Sequence, residues 1–141
     1  MTTFVGIDGI PGGWVAVYLS DNGDQRFAYA KSAARLLADP YDRAMPPRLF
    51  EAHPEMIFWR IAGRVLASKN TAKGRAERIE ILKAKGIGRV QRWLGQRHGT
   101  GIGRDDLIDA CACALAARDS TRRVPTNGNL IKRGAQAEIW Y

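Results

Sequence analysis

The sequence predicts an α/β fold in which an antiparallel meander of three strands is followed by helices. Three observations predict it. Two apolar runs, VGID and WVAVYLS, flank the glycine-rich turn of VGIDGIPGGWVAV, and a third, QRFAYAK, alternates in the manner of a half-buried strand. Beyond residue 32 the apolar spacing becomes helical in several separate stretches. With 141 residues, 45% of them hydrophobic and 26% charged, the chain suits one domain with a single core.

The elements follow in order. Strands are expected over 3–8, 13–20 and 25–31, the second and third joined by the turn Asp21-Asn22-Gly23-Asp24. Ser32 can cap a short helix over 33–38, which Asp39-Pro40 ends. Residues 40–47 (PYDRAMPP) hold three of the six prolines and read as a linker, and RLFEAH (48–53) reads as a short strand. A helical stripe at 57, 58, 61, 62, 65 and 66 predicts a helix over 56–67, with Pro54 near its start. A second helix over 71–84 should turn Ala76, Ile79 and Leu82 inward and stop at Gly86. Residues 86–103 contain six glycines and should be mobile around a short helix at 90–94. Asp105 should cap a helix through Arg118 whose small residues, from Ala110 to Ala117, let it approach a sheet closely. A loop to Asn129 and a short strand at 137–141 (AEIWY) complete the chain.

The net charge of +8 is concentrated in the middle, because residues 60–104 carry 12 Lys and Arg against two acids, Glu77 and Glu80. That asymmetry suits a polyanion such as nucleic acid, and a solvated basic helix face would look the same. No apolar run is long enough for a bilayer, so no membrane is expected. The opening MTTFVGIDG lacks the basic and apolar regions of a signal peptide, and Cys111 and Cys113 stand on different faces of one helix. The expectation is therefore a cytoplasmic protein with two unbridged thiols.

Asp8 is the residue hardest to explain structurally. It ends an apolar strand and starts no helix, and a lone carboxylate there is costly without a positive partner. Glu51, His53 and Glu55 would share one strand face at period two, and Asp105, Asp106 and Asp109 open the small-residue helix at i,i+3 and i,i+4 spacing. Clustered carboxylates repel unless a cation joins them, and hard cations such as Mg²⁺ or Mn²⁺ prefer oxygen ligands. Two ions held by shared carboxylates could activate water for phosphodiester hydrolysis. The structural alternative for the aspartate trio is a capped helix N-terminus, which favours negative charge. His53, before Pro54, could equally satisfy a backbone group. The glycine turn does not match the dinucleotide fingerprint, because a strand follows it.

Taken in order, VGIDGIPGGWVAV, RLFEAHPEMIFW, SKNTAKGRAERIEIL, DDLIDACACALAAR and EIWY resemble the domain of unknown function 429 family. Its members are predicted nucleases with an RNase H-like fold. The resemblance implies a mixed sheet, three antiparallel strands plus one parallel strand, flanked by helices. It implies an acidic site of Asp8, Asp106 and Asp109 with Asp105 close by. Glu51 and Glu55 match its EvHPE-like motif, with His53 between them as an auxiliary residue. Lys69, Arg75 and Arg78, together with Lys73, match its basic segment and would bind nucleic acid.

The chain departs from that pattern at one place. ADPYDRAMPPRLFEAHPE runs directly from the first helix to the later strand, without the apolar strand and IDxPxG-like motif of the family. One central strand and its following helices, between about residues 40 and 48, are thus expected to be missing from a shortened single domain. RLFEAH would then pair beside VGIDGI, placing Glu51 against Asp8 in a sheet ordered 3-2-1-4. Otherwise a second copy fills the open edge as a homodimer, or the chain is an impaired version. The expected function is a divalent-metal-dependent nuclease, with catalytic Asp8, Glu51, Asp106 and Asp109 and metal ligands Asp8, Glu51, Asp105 and Asp109. The alternative is a non-catalytic nucleic-acid-binding or assembly protein with a degenerate RNase H-like fold. A phosphotransferase of the actin and sugar-kinase type ranks third, because a second phosphate hairpin is not found in the sequence.

Overall fold

The computed structural model describes residues 1–38 and 50–119 in full, and beyond them the backbone of four two-residue strands. The expected meander forms. β1 (Thr3–Ile10), β2 (Gly13–Ser20) and β3 (Gln25–Ala30) make an antiparallel sheet in that order, with Asp8 opposite Val15 and Val17 opposite Phe27. Pro11 and Gly12 make the β1–β2 turn, where Gly12 takes the left-handed φ of 80° that side chains disfavour.

Val15 to Leu19 are all buried, because β2 is the central strand and both faces of the sheet are covered. On one face Ala16 and Tyr18 pack with Leu36 of α1 (Ala33–Ala38), and the Tyr18 hydroxyl donates to the Leu36 carbonyl at 2.7 Å. On the other face Val15, Val17 and Leu19 meet the main core. Period two places Phe4, Gly6, Asp8 and Ile10 of β1 on this second face too.

α5 (Arg104–Asp119) lies against β1 and β2 on that face, with α2 (Pro54–Ala62), α3 (Ala72–Ala84) and α4 (Val90–Gln96) packed around it. It is buried on nearly every side, from Leu107 through Ala112 and from Ala114 to Ala116. Its approach to β1 depends on Gly6, where an added Cβ would lie 2.1 Å from both the Ala110 carbonyl oxygen and the Ala114 nitrogen. The small-residue run that promised close approach thus meets a strand glycine.

Several local expectations need correction. α2 closes at Ala62, because Gly63 adopts a left-handed φ of 67° and its N–H bonds the Trp59 carbonyl. Ala76 of α3 is exposed, whereas Leu82 is buried and Ile79 packs against the core as expected, and Gly74 and Arg78 are buried with them. The glycine-rich stretch 86–103 is anchored, since Ile87, Val90, Trp93, Leu94 and Ile102 are all buried in the core. α5 starts at Arg104, one residue before the expected cap, and Asp106 reaches back to accept the Gly103 N–H at 3.0 Å.

The pairing expected of RLFEAH is also different. β4 (Glu51–Ala52) pairs in parallel with β8 (Ile139–Trp140), which pairs antiparallel with β5 (Arg123–Val124). β6 (Ile131–Lys132) and β7 (Ala135–Gln136) form a separate two-stranded ladder. Among the described residues β1 has a ladder on one side only, so the order 3-2-1-4 is not formed and Glu51 is not beside Asp8. The linker expected at 40–47, where a strand and helices were expected to be missing, lies outside the described residues, as does Arg48-Leu49.

Candidate functional site

The sheet and α5 set Asp8 and Asp109 on facing elements, near enough for the charge of one to act on the other. Asp8 projects from β1 two residues beyond Gly6, on the face that α5 covers. Asp109 immediately precedes Ala110, whose carbonyl oxygen faces Gly6, and only 8% of it is exposed. Burial first, and then the Asp109 charge, push the Asp8 carboxyl up to about 6, with Asp106 adding to the repulsion. Burial likewise raises Asp109, against the pull of Lys69. The same two aspartates hold the half-buried Cys113 thiol high, about 12, after burial itself.

One cation answers part of this charge. Lys69 Nζ lies 3.1 Å from Asp109 Oδ2, and that hydrogen bond raises the lysine above its ordinary value. The loop bearing Lys69 is pinned against α3, where an added Cβ on Gly74 would lie 2.0 Å from the Ser68 carbonyl oxygen. The other Asp109 oxygen, Oδ1, is buried and has no hydrogen-bond partner among the described residues. A buried carboxylate oxygen without a donor is costly, so it marks where a further cation or donor would be stabilised.

The remaining expected site residues divide. Asp105 and Asp106 sit in the first turn of α5, Asp105 close enough to act on both Asp109 and Lys69. Glu51 is exposed on β4 in the separate ladder, and His53 is exposed at the start of α2 without a side-chain capping bond. Glu55 does not continue a strand face, since α2 begins at Pro54; it accepts from Arg78 Nε at 3.2 Å and Nη2 at 2.7 Å. Among the described residues no three acids, histidines or cysteines gather as a metal site, so Asp8, Glu51 and Asp109 do not converge as expected.

The basic candidates also separate. The Arg78 side chain is 3% exposed, and Nη1 donates to the Ala67 and Gly74 carbonyls while the rest of the fork holds Glu55. Its placement is structural. Lys73 is exposed, and Arg75 anchors its Nη1 on the Asn70 carbonyl at 3.0 Å. Sequence reasoning missed Arg97 and Arg104, which flank the α3–α4 surface. Their only signal was membership of the basic middle.

The family description "Protein of unknown function (DUF429)" matches residues 31–129. The chain is a DUF429 protein. No curated protein and no solved structure matches it. The DUF429 match contains Lys69, Asp105, Asp106 and Asp109, whereas Asp8 precedes it and enters the site through β1. Among the described residues of this DUF429 chain, no helix is long and apolar enough to cross a membrane.

Proposed function

We propose that this DUF429 protein is a divalent-cation-dependent nuclease whose cation, Mg²⁺ or Mn²⁺, is held between Asp8 and Asp109. One observation carries the reading. Two carboxylates stand on facing elements with the charge of Asp109 acting on Asp8, and Asp109 Oδ1 is buried without a hydrogen-bond partner among the described residues. The donor set fits the ion in kind, because both residues offer hard oxygens. It fits in number for a single Mg²⁺-like ion, which is commonly bound through one or two carboxylates with water and substrate phosphate completing its shell. The expected two-ion arrangement with Glu51 is not supported by the placement of Glu51 on β4.

When bound, such an ion supplies Lewis acidity at a phosphoryl oxygen and lowers the pKa of a water. Every other role belongs to the chain. Asp8 and Asp109 place negative charge where neither is neutralised by the other. Lys69 occupies Asp109 Oδ2, would compete there with a bound cation for the carboxylate, and carries an ammonium that could also meet a phosphate. Asp106 is already engaged by the Gly103 N–H and holds the start of α5. Asp105 adds negative field beside Asp109. The mixed sheet with an RNase H-like arrangement, and a reducing cytoplasmic setting for the free thiols Cys111 and Cys113, belong to the same proposal.

The test is cleavage of end-labelled single- and double-stranded DNA and RNA with Mn²⁺, Mg²⁺ or chelator. Cleavage by the wild type that Asp8→Asn and Asp109→Asn each reduce at least 100-fold supports the proposal. Cleavage that survives both substitutions assigns it to a contaminant or to another site.

A further inference from the structure

A groove of about 420 Å³ runs between α3 and α4 and reaches the start of α5. Its volume is in the range of ordinary ligand sites, roughly 300–1,000 Å³. Arg75, Arg97 and Arg104 stand around it with His98, over an apolar floor that includes Ile79 and Leu94. Among the described residues no carboxylate lines it. The two acids of the basic middle are committed elsewhere, Glu77 to Arg64 and the Ala67 N–H, Glu80 to Lys83. Among the described residues, then, no acid within the groove offsets its positive charge.

The side chains are set for an anionic occupant. Arg97 lies along the groove, steadied by Nη1 donating to the Ile102 carbonyl at 3.2 Å. Arg75 is steadied by the Asn70 carbonyl, which leaves the remainder of its fork for another acceptor. The groove also leads to the acidic site. Asp109 lies five residues after Arg104, about 7.5 Å along the helix axis. On the other side, Arg75 and Lys69 belong to one loop–helix corner, and Lys69 holds Asp109.

We infer that this groove binds a single-stranded nucleic-acid segment, with Arg75, Arg97 and Arg104 on its phosphates and a base laid over Ile79 and Leu94. A charged track beside an apolar platform is what an unstacked strand requires, whereas a duplex hides its base faces. The inference extends the proposed nuclease reading, because the segment held here would lead into the Asp8–Asp109 site.

The experiment is fluorescence anisotropy of a labelled single-stranded 12-nucleotide DNA or RNA, in chelator so that no cleavage occurs, across a salt series. The double variant Arg97→Gln/Arg104→Gln should weaken binding about ten-fold and reduce the salt slope by about 1.4, since each lost single-strand phosphate contact lowers it by about 0.7. Arg104→Gln alone, at an exposed position, should reduce the slope by about 0.7 without changing the melting temperature, and Arg104→Lys should restore it. An unchanged slope in Arg104→Gln overturns the groove. Equal affinity for duplex, or displacement of the strand by polyglutamate at equal charge, overturns the single-stranded assignment. Because these readings need no cation, absence of Mn²⁺-dependent cleavage together with a slope that Arg104→Gln reduces defeats the nuclease reading and leaves the groove standing.

Discussion

Gly6 and Ala110 lie in backbone contact: a Cβ on the glycine would fall 2.1 Å from the Ala110 carbonyl oxygen. This one contact sets the distance between β1 and α5, and hence between Asp8 and Asp109. Neither backbone can retreat by a rotamer change. Gly6→Ala should therefore cost about 3 kcal/mol, the upper end for overpacking, and lower the melting temperature by about 10 °C. Melting followed by circular dichroism checks this. A loss below about 2 °C would mean that the sheet and helix are not pressed together at this point.

Asp8 predicts a pH dependence of stability. Its carboxyl rises from an ordinary 3.8 to about 6, so the folded state binds its proton more tightly than the unfolded chain does. Stability from this group is complete below about pH 4 and is lost as pH rises through 6. After discounting for solvent screening at a half-exposed group, the loss is about 1–2 kcal/mol. Cation-free Asp8→Asn should melt about 3–6 °C above the wild type at pH 8 and within about 1 °C of it at pH 4. Equal melting temperatures at pH 8 would show that Asp8 is not under strain.

Arg78 predicts destabilisation without loss of nucleic-acid affinity. Four of its donor contacts go to Glu55, Ala67 and Gly74, and the guanidinium carbon lies 5.6 Å from the Phe58 ring centroid. Arg78→Ala strands the Glu55 carboxylate and two carbonyls, and should cost about 3–5 kcal/mol in urea unfolding. The salt slope of nucleic-acid binding, measured below the melting temperature, should stay at the wild-type value. A slope reduced as far as that of Arg104→Gln would place Arg78 on the binding surface after all.

The legible and illegible parts of this chain differ for physical reasons. The meander was readable because each strand is short, alternates, and is bounded by Gly, Pro, Asn or Asp. Asp8 could be singled out as a candidate because a carboxylate among apolar neighbours has few structural uses, and Asp109 only as one of three aspartates opening a helix. Glu51 was misplaced because strand pairing is non-local: its β4 ladder partner lies at Ile139, far along the chain. Arg78 looked like any other cation in the basic middle, and only three-dimensional packing beside Gly74 and Glu55 buries it. Gly6 could have been noticed, since a glycine two residues before a site carboxylate faces the same side as that carboxylate.

Lys69 predicts competition with the cation. Its ammonium sits on Asp109 Oδ2, and it is 40% exposed, so the pair is worth less than about 1 kcal/mol. Lys69→Gln should tighten Mn²⁺ binding about two- to five-fold, because the ion no longer displaces an ammonium. Weaker binding would make Lys69 a supporting rather than a competing group.

The most direct test of the paired carboxylates is isothermal titration of Mn²⁺ into chelator-treated wild type, Asp8→Asn and Asp109→Asn. The account predicts one ion per chain in the wild type and no measurable heat of binding in either variant. An isotherm that is unchanged by both substitutions would contradict it, because the ion would then be held without Asp8 or Asp109.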